Sequence, residues 1–321
     1  MRFYIKRKAA SLVMLTIVSA LFLSGCDTPI PSETTASNTT KTFTVDNTGS
    51  TVTIEPSDDD ISDLSGYPVT INDTVISKNP GTAVCLSSSL TEIICELGYG
   101  DKLIGRGVYC EYPDSITTLE SFGRPASPDI EALKKASPDV LITATAIPSI
   151  DIKALNESDI AVVYIPSPRT IQEFERIYSA LGMIFEGMFE GEKTAAAAFS
   201  SISKTFLNSD LTIGSFIYVT EGWTIAGGDT FESSVLSCFG TNAADEFKSY
   251  YSGDLGDIQP DIVLMNSDLS REDILNNERF SELEAVKAGK ITEINNRFFE
   301  SPSGRMTDLI NELKGTGVTA H

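Results

Sequence analysis

The sequence contains a single histidine, His321, which is the last of its 321 residues. A serine or cysteine nucleophile that works with histidine needs an imidazole held firmly beside it, and a chain terminus does not hold one. The same absence argues against zinc and copper sites built on imidazole ligands. The GxSxG phrase of α/β-hydrolases is also missing. We therefore predict a protein that is not an enzyme and has no metal site or cofactor of its own, although acid–base catalysis by a carboxylate pair stays open.

Positive charge is scarce: 24 Lys and Arg face 45 Asp and Glu, for a formal net charge of −21. Such a surface repels phosphate backbones, so nucleic acid is not expected as a partner. The five cysteines include no CxxC pair, which argues against a cysteine-ligated zinc site. Cys85 and Cys95 lie in apolar runs, where a free thiol acts as a small core side chain. Disulfides stay open, because they are permitted outside the cytoplasm.

Residues 1–25 have the layout of an export signal, with a basic start, an apolar stretch from Ala9 to Leu23 and the small pair Ser24-Gly25. The apolar stretch is short for a membrane span. Leu-Ser-Gly-Cys at 23–26 resembles the lipobox of bacterial lipoproteins, which implies that Cys26 is acylated and becomes the mature N-terminus. The predicted location is extracytoplasmic, with the protein anchored to the cell membrane by lipid.

Composition divides the remainder of the chain into further regions. Residues 26–42 are rich in Ser, Thr and Pro and predict a flexible tether, which spans about 20 Å as a coil. Residues 43–79 predict an extended region with a hairpin around Asn47-Thr48-Gly49, followed by a second extended stretch, YPVTINDTVIS. An α/β lobe at 80–168, a helical connector at 169–208 and a second α/β lobe at 209–321 complete the predicted organisation.

Short apolar strands alternate with helical patterns in both predicted lobes. Ser89 is the predicted N-cap of the first helix, with Glu92 completing a capping box, and Ser127 is the predicted cap of the second. The phrases SPDVLIT at 137–143 and QPDIVLM at 259–265 each place a proline before a buried parallel strand, which supports two similar lobes. In the connector two helical segments follow each other, and the second is rich in alanine, the best helix former.

Two long phrases, AVCLSSSLTEIICELGYGDKLIGRGVYCEYP and FGRPASPDIEALKKASPDVLI, resemble the N-terminal lobe of class III periplasmic-type substrate-binding proteins of ABC importers. This family serves cobalamin, haem, siderophores and some metals. The similarity runs from about Tyr67 to the end of the chain and includes FSELEAVKAGKITEI and FFESPSGRM. It implies two α/β lobes bridged by a long rigid α-helix, with a ligand cleft between the lobes. The implied partners are a small-molecule ligand, a permease with its ATPase, and the membrane through the N-terminal lipid.

The phrase GVYCEYP is most similar to the cobalamin-binding branch, in which the corresponding tyrosine lines the cleft, and the resemblance gives this role to Tyr109. A corrinoid is a wide, largely uncharged ring edged with amides, which aromatic faces and a few hydrogen bonds hold well. Trp223, the only tryptophan, lies in a glycine-rich loop where the family places cleft residues. The further cleft candidates are Phe298, Phe299, Tyr250 and Tyr251.

The family docks on its permease through one acidic residue on each lobe, which meets arginines on the transporter. The resemblance assigns this role to Glu131 in the first lobe. In the second lobe the pattern is shortened to SGDLGDIQPD, and Asp254 is the best substitute. The sequence departs from the family at two further positions. Ser301 stands where many cobalamin binders have arginine, and Cys238, which is disulfide-bonded in some relatives, has no cysteine near the C-terminus to pair with.

The ligand stays open between classes. Metal-binding members need histidine-rich sites, which this chain lacks. Haem carriers ligate iron through His or Tyr, and Tyr109 keeps that option open. Ferric siderophores are often anionic and call for clustered arginine, for which Arg106, Arg124, Arg297 and Arg305 are available. We predict cobalamin or a related corrinoid first, with a siderophore or haem as the alternative. A lipid-anchored surface enzyme and a surface scavenger without a permease are less favoured.

Overall fold

The computed structural model of the protein describes residues 66–314. The predicted signal segment, Cys26, the tether, the hairpin around Asn47-Thr48-Gly49 and His321 lie outside the described residues. Within residues 66–314 no helix combines the length and the apolar character needed to cross a bilayer.

The described chain alternates strands and helices along most of its length. The strands are β1 (Val69–Ile71), β2 (Thr74–Ile76), β3 (Ala83–Cys85), β4 (Leu103–Arg106), β5 (Glu120–Ser121), β6 (Gly123–Arg124), β7 (Ser127–Pro128), β8 (Val140–Thr143), β9 (Ala161–Tyr164), β10 (Gly214–Val219), β11 (Gly240–Asn242), β12 (Ile262–Asn266) and β13 (Ile291–Ile294). The α-helices are α1 (Ser88–Glu96), α2 (Ile130–Ala136), α3 (Ser149–Asn156), α4 (Ile171–Leu207), α5 (Phe231–Leu236), α6 (Arg271–Asn276), α7 (Glu284–Lys287), α8 (Arg297–Glu300) and α9 (Leu309–Lys314). Short 3₁₀ turns lie at Gly100–Lys102, Asp114–Thr118 and Gly304–Asp308.

The first lobe is built on a parallel sheet with the strand order β5-β4-β3-β8-β9. Every residue of β3 and β8 is buried, as expected for parallel strands that are covered on both faces. Helix α1 packs on one face, while Leu133 of α2 and Leu155 of α3 pack on the other.

The second lobe repeats this plan with a parallel sheet of order β11-β10-β12-β13. The predicted parallel strands in SPDVLIT and QPDIVLM are confirmed as β8 and β12. The aspartate of each phrase has the same role. Asp139 accepts hydrogen bonds from the backbone of Gly81 and Thr82 at 2.8 and 2.9 Å, and Asp261 accepts one from the backbone of Ser215 at 2.8 Å. In both lobes this carboxylate joins the starts of two neighbouring strands.

The connector α4 is 37 residues long and contains one residue with non-helical backbone angles, Gly187, at φ +77° and ψ 177°. The halves on either side of Gly187 pack against each other, because the rings of Tyr178 and Phe199 lie 5.4 Å apart. In a straight helix these two residues would be about 30 Å apart. The fold-class prediction of two α/β lobes with a long helical connector is confirmed. The connector doubles back at Gly187, in agreement with the two helical segments predicted from sequence.

One hydrophobic core extends from the first sheet through α4 to the second sheet. It includes Cys85 and Ile142 of the first lobe, Phe174 of the connector, and Phe216 and Leu264 of the second lobe. Separate clusters cover the outer face of each sheet. Because the connector is buried against both lobes, their relative position is fixed by packing rather than by a flexible linker.

Two predicted helix starts are wrong by two residues. The N-cap of α1 is Ser87 rather than Ser89, and Glu92 is buried against the second lobe instead of completing a capping box. The N-cap of α2 is Asp129 rather than Ser127, because Ser127 belongs to β7, which pairs with β6 in a small hairpin. The hydroxyl of Ser89 donates to the second lobe instead, and the backbone of Ser127 pairs with Arg124, so neither residue caps a helix.

The stretch YPVTINDTVIS forms the antiparallel hairpin β1–β2 rather than one extended segment. Asn72, with φ +51°, provides the left-handed residue of its turn. The Asn72 amide donates to the carbonyl of Tyr164 at 2.6 Å, and the Thr74 hydroxyl donates to the carbonyl of Val162 at 2.7 Å. The hairpin therefore binds carbonyl groups of β9, the edge strand of the first sheet.

Candidate ligand cleft between the lobes

The carboxyl ends of the two sheets face each other. Ser88 begins α1 directly after β3, and its hydroxyl lies 2.7 Å from the hydroxyl of Ser301, which follows β13 and α8 in the second lobe. The next residue, Ser89, donates to the carbonyl of Pro302 at 2.5 Å. In α/β folds ligands bind beside the carboxyl ends of parallel strands. The loops that follow the strands of both sheets therefore define the candidate cleft.

A buried ion pair joins the lobes at this contact. Glu92 of α1 is 3% exposed and accepts two hydrogen bonds from the guanidinium of Arg305, one of them 2.8 Å long at Nε. The hydroxyl of Ser303 donates to the same carboxylate at 2.7 Å. The guanidinium carbon of Arg305 also lies 4.5 Å from the ring centroid of Tyr112. Charge, hydrogen bonds and ring contact thus converge on one arginine of the second lobe.

The first lobe presents two exposed tyrosines in the loop that follows β4. Tyr109 is 59% exposed and Tyr112 is 46% exposed. The buried thiol of Cys110 lies between them in the chain and accepts a hydrogen bond from the hydroxyl of Thr91 in α1 at 3.3 Å. This contact fixes the middle of the loop to the helix and leaves both rings at the surface. Sequence reasoning missed Tyr112, although it is the second tyrosine of the phrase GVYCEYP.

The second lobe presents acidic groups after three adjacent strands. Glu221 follows β10, Asp268 follows β12 and Glu300 lies beyond β13, and their carboxylate oxygens all lie within 4.8 Å of one another. Partial burial raises the pKa of Glu300, and the negative charges of Asp268 and Glu221 raise it further. Exposed carboxylates group in this way in many proteins without a metal, so we assign the group an electrostatic role. It makes this edge of the second sheet negative.

A further carboxylate, that of Glu232 in α5, is buried in the same lobe. Both of its oxygens accept from the hydroxyl of Tyr250, at 3.0 and 3.1 Å. Burial raises the pKa of Glu232, while the hydrogen bond from Tyr250 lowers it in part. Burial raises the pKa of Tyr218, and the negative charges of Glu232 and Glu300 raise it further. Tyr218, Tyr250 and Glu232 therefore lie close together in the second lobe.

Comparisons of the sequence and the fold with known proteins agree with this architecture. Residues 83–204 match the periplasmic binding protein family. A curated relative, the uncharacterized ABC transporter substrate-binding lipoprotein YvrC of Bacillus subtilis (strain 168), is 23% identical over 323 residues, which cover 96% of each chain. The predicted family resemblance is confirmed.

Solved periplasmic binding proteins share the fold. The vitamin B12 binding protein BtuF of Vibrio cholerae has a TM-score of 0.56 and 21% identity, over 75% of this chain and 99% of that chain. The haem-binding protein HutB of Vibrio cholerae has a TM-score of 0.59 and 22% identity, over 73% of this chain and 96% of that chain. The family consists of substrate-binding transport proteins rather than enzymes.

The structure places the predicted cleft residues of this periplasmic binding protein fold in different environments. Tyr250 is half-exposed beside Glu232, and Phe299 is half-buried with its ring edge-on to Tyr218 at 5.1 Å. Phe298 is 8% exposed and packs in the core. Tyr250 and Phe299 thus both lie near Tyr218, whereas Phe298 is part of the hydrophobic core.

The remaining two predicted residues pack against the second hydrophobic cluster of the second lobe. Trp223 is half-buried, with its ring 6.3 Å from that of Phe280, and has a left-handed backbone at φ +60°. Tyr251 stacks on Phe247 at 3.8 Å and donates from its hydroxyl to the backbone carbonyl of Asp254. Tyr251 therefore holds the loop of the predicted docking residue.

Two of the four arginines considered for a siderophore are bound by the protein itself. Arg305 pairs with Glu92, and Arg106 donates to the backbone carbonyls of Gly107 and Thr117 at 3.1 and 3.3 Å. Arg124 and Arg297 are exposed, in β6 and α8 respectively. Of the positive charge that an anionic siderophore needs, that of Arg305 is therefore already paired with Glu92.

The two predicted docking residues are both at the surface. The side chain of Glu131 in α2 is 84% exposed and forms an ion pair with Lys134 at 2.9 Å. Asp254 is exposed in a loop, where its carboxylate accepts from the backbone of Gly256 at 3.0 Å. Each lobe thus offers an accessible carboxylate for contact with a cationic partner.

The four described cysteines are free thiols. Cys85 and Cys110 are buried in the first lobe, and Cys238 is exposed in the second. Burial raises the pKa of Cys95 to about 11, so its reactive thiolate form is scarce at neutral pH. The first lobe uses these thiols as packing groups.

Proposed function

We propose that the protein is a lipid-anchored extracytoplasmic substrate-binding protein that captures cobalamin or a related corrinoid and delivers it to the permease of an ABC importer. The family match and the lipoprotein relative support the coarse part of this proposal. The predicted acylation of Cys26 and the tether beyond it would keep the body near its permease. The transported ligand is the only small molecule that the proposal requires.

The observation that supports a corrinoid is the combination of an exposed aromatic side chain on the first lobe and a negatively charged edge on the second. Tyr109 offers an exposed ring in the first lobe, while Glu221, Asp268 and Glu300 make one edge of the second lobe negative. Haem has two carboxylate groups, and many ferric siderophores are anionic, so both are repelled by such an edge. A corrinoid has an amide-edged ring around a cationic cobalt, so it can bind both to the aromatic side chain and to the negative edge. Carboxylates can also accept hydrogen bonds from its amides.

Haem remains the second candidate because of one side chain. The phenol of Tyr109 is well exposed in the cleft loop, and a phenolate oxygen is a known type of axial ligand to haem iron. HutB, which shares the fold, is a haem-binding protein. This candidate requires an iron–oxygen bond at Tyr109, whereas a corrinoid requires only its ring face.

Titration of the purified protein with cyanocobalamin tests the proposal. Trp223 is the only tryptophan, so its fluorescence reports on the second lobe without added labels. We expect saturable quenching at one corrinoid per chain, and recovery of the ligand unchanged. Absence of quenching, together with absence of heat in calorimetry, would remove the corrinoid assignment. Unchanged ligand also separates a carrier from a surface enzyme.

Substitutions at Tyr109 separate the two ligands. We expect Tyr109→Ala to weaken cyanocobalamin binding about tenfold, because an aromatic contact contributes about 0.5–1.5 kcal/mol beyond the area it buries. Tyr109→Phe keeps the ring face and should bind cyanocobalamin within about twofold of the original protein. If the ligand is haem instead, Tyr109→Phe removes the axial oxygen, and the visible spectrum of the haemin complex should change.

Docking is tested by Glu131→Gln. We expect unchanged cyanocobalamin binding and strongly reduced uptake in cells, because the substitution removes a charge from an exposed side chain outside the cleft loops. Glu157→Gln is the matched control, since Glu157 also lies in the first lobe and forms an exposed ion pair with Lys153 at 3.8 Å. Equal uptake by both variants would contradict a docking role for Glu131.

A further inference from the structure

Arg279 binds three backbone carbonyls that belong to two separate loops. Its guanidinium donates to the carbonyls of Trp223 at 2.8 Å, Gly253 at 2.7 Å and Tyr251 at 3.0 Å. The same group lies 5.1 Å from the ring centroid of Phe280. The fixed fork of an arginine can meet several acceptors at once, which the single ammonium of lysine does less well. Arg279 and the three residues whose carbonyls it binds are all half-buried, so these hydrogen bonds are partly shielded from water.

The first of these loops, the tryptophan loop, comprises residues 220–224. It is closed by a backbone hydrogen bond from Thr220 to the carbonyl of Thr224 at 2.8 Å, and the two threonine hydroxyls lie 2.7 Å apart. Trp223 has φ +60°, a left-handed conformation that glycine adopts easily but that is unfavourable for a residue with a bulky side chain. Trp223 also donates within the loop, to the carbonyl of Thr220 at 2.9 Å, and Arg279 adds an external contact at the carbonyl of Trp223 itself.

The second loop, the tyrosine loop, comprises residues 251–256. Its first residue, Tyr251, forms an antiparallel bridge with Ile225, just beyond the tryptophan loop. Its hydroxyl donates to the carbonyl of Asp254 at 3.0 Å. Asp254 is the predicted docking residue of the second lobe. One arginine therefore contacts both the loop that holds a predicted ligand-binding residue and the loop that holds a predicted permease contact.

We propose that Arg279 is a positioning residue that holds Trp223 in its left-handed conformation and couples the tryptophan loop to the tyrosine loop. A shift of Trp223 on ligand binding then reaches the Asp254 loop through shared hydrogen bonds to one guanidinium. This coupling rests on the proposed function for its biological meaning, but the physical link between the loops is independent of which ligand binds.

The test uses the full chain with Arg279→Gln and the conservative Arg279→Lys. Arg271→Gln is the matched control, because Arg271 also donates to two backbone carbonyls of the second lobe, those of Gly289 and Ile291, away from both loops. Circular dichroism first establishes that each variant is folded. We expect a red shift and lower anisotropy of Trp223 emission in both Arg279 variants without ligand, and an unchanged signal in Arg271→Gln.

Hydrogen exchange measures the coupling. In Arg279→Gln we expect amide exchange to become about tenfold faster in both loops together, because each loses a hydrogen bond to the same group. Faster exchange in only one loop, or Trp223 emission equal to that of the original protein, overturns the proposal. Cyanocobalamin affinity should fall about tenfold in Arg279→Gln. If the original protein does not bind cyanocobalamin, the proposed ligand fails, while the emission and exchange results still decide the role of Arg279.

Discussion

Arg305→Ala is expected to lower the free energy of unfolding by about 3–5 kcal/mol, the loss found when one partner of a buried ion pair is removed. The reason is the environment of Glu92, which is 3% exposed and would lose both hydrogen bonds from the guanidinium of Arg305. Ser303 would remain as a hydrogen-bond donor to this carboxylate, but a hydroxyl does not neutralise a charge. Urea unfolding followed by circular dichroism measures the change.

An exposed ion pair provides the control for this prediction. Lys193 and Glu190 lie 2.8 Å apart on α4, with side chains 75% and 66% exposed. We expect Lys193→Ala to change the free energy of unfolding by no more than about 0.5 kcal/mol, because water screens such pairs. If Arg305→Ala were as mild as Lys193→Ala, the ion pair between the lobes would be dispensable for stability.

The sequence predicted the fold well where local patterns and tertiary contacts agree. Short apolar runs after Pro-Asp became the buried strands β8 and β12, because such residues have no favourable place except inside a covered parallel sheet. Local rules failed at Ser89 and Ser127, whose side chains or backbones are used by other segments. The stretch SREDILNNERFSELEAVKAG has one continuous helix-like pattern, but it forms two short helices, α6 and α7.

The candidate site was less predictable, because it depends on which loops meet in space. The family resemblance drew attention to Tyr109 and Trp223, each in a loop directly after a strand. The acidic edge formed by Glu221, Asp268 and Glu300 is assembled from segments up to 79 residues apart. No motif or spacing in the sequence indicates that these residues meet. A rule that collects acidic residues just beyond each buried parallel strand would have found Glu221 and Asp268. The Glu92–Arg305 pair likewise joins residues 213 positions apart.

The helical connector depends on two glycines that let its halves meet. A Cβ atom added to Gly182 would lie 2.2 Å from the carbonyl oxygen of Gly191, and one added to Gly191 would lie 2.3 Å from the carbonyl carbon of Gly182. The obstacle in both cases is backbone, which cannot rotate away as a side chain can. The two halves would therefore have to separate along their length, and the nearby contact between Tyr178 and Phe199 would loosen.

Gly182→Ala tests this close approach, because helix propensity and overpacking predict changes of opposite sign in the free energy of unfolding. Helix propensity alone predicts stabilisation by about 1 kcal/mol, because alanine is the better helix former. We expect destabilisation by about 2–3 kcal/mol instead, since overpacking against a fixed backbone outweighs propensity. Gly222→Ala is the control, because the nearest atom to its added Cβ is a threonine hydroxyl 3.9 Å away, and its free energy of unfolding should change little. A stabilised Gly182→Ala variant in urea unfolding would mean that α4 does not fold back on itself at Gly187.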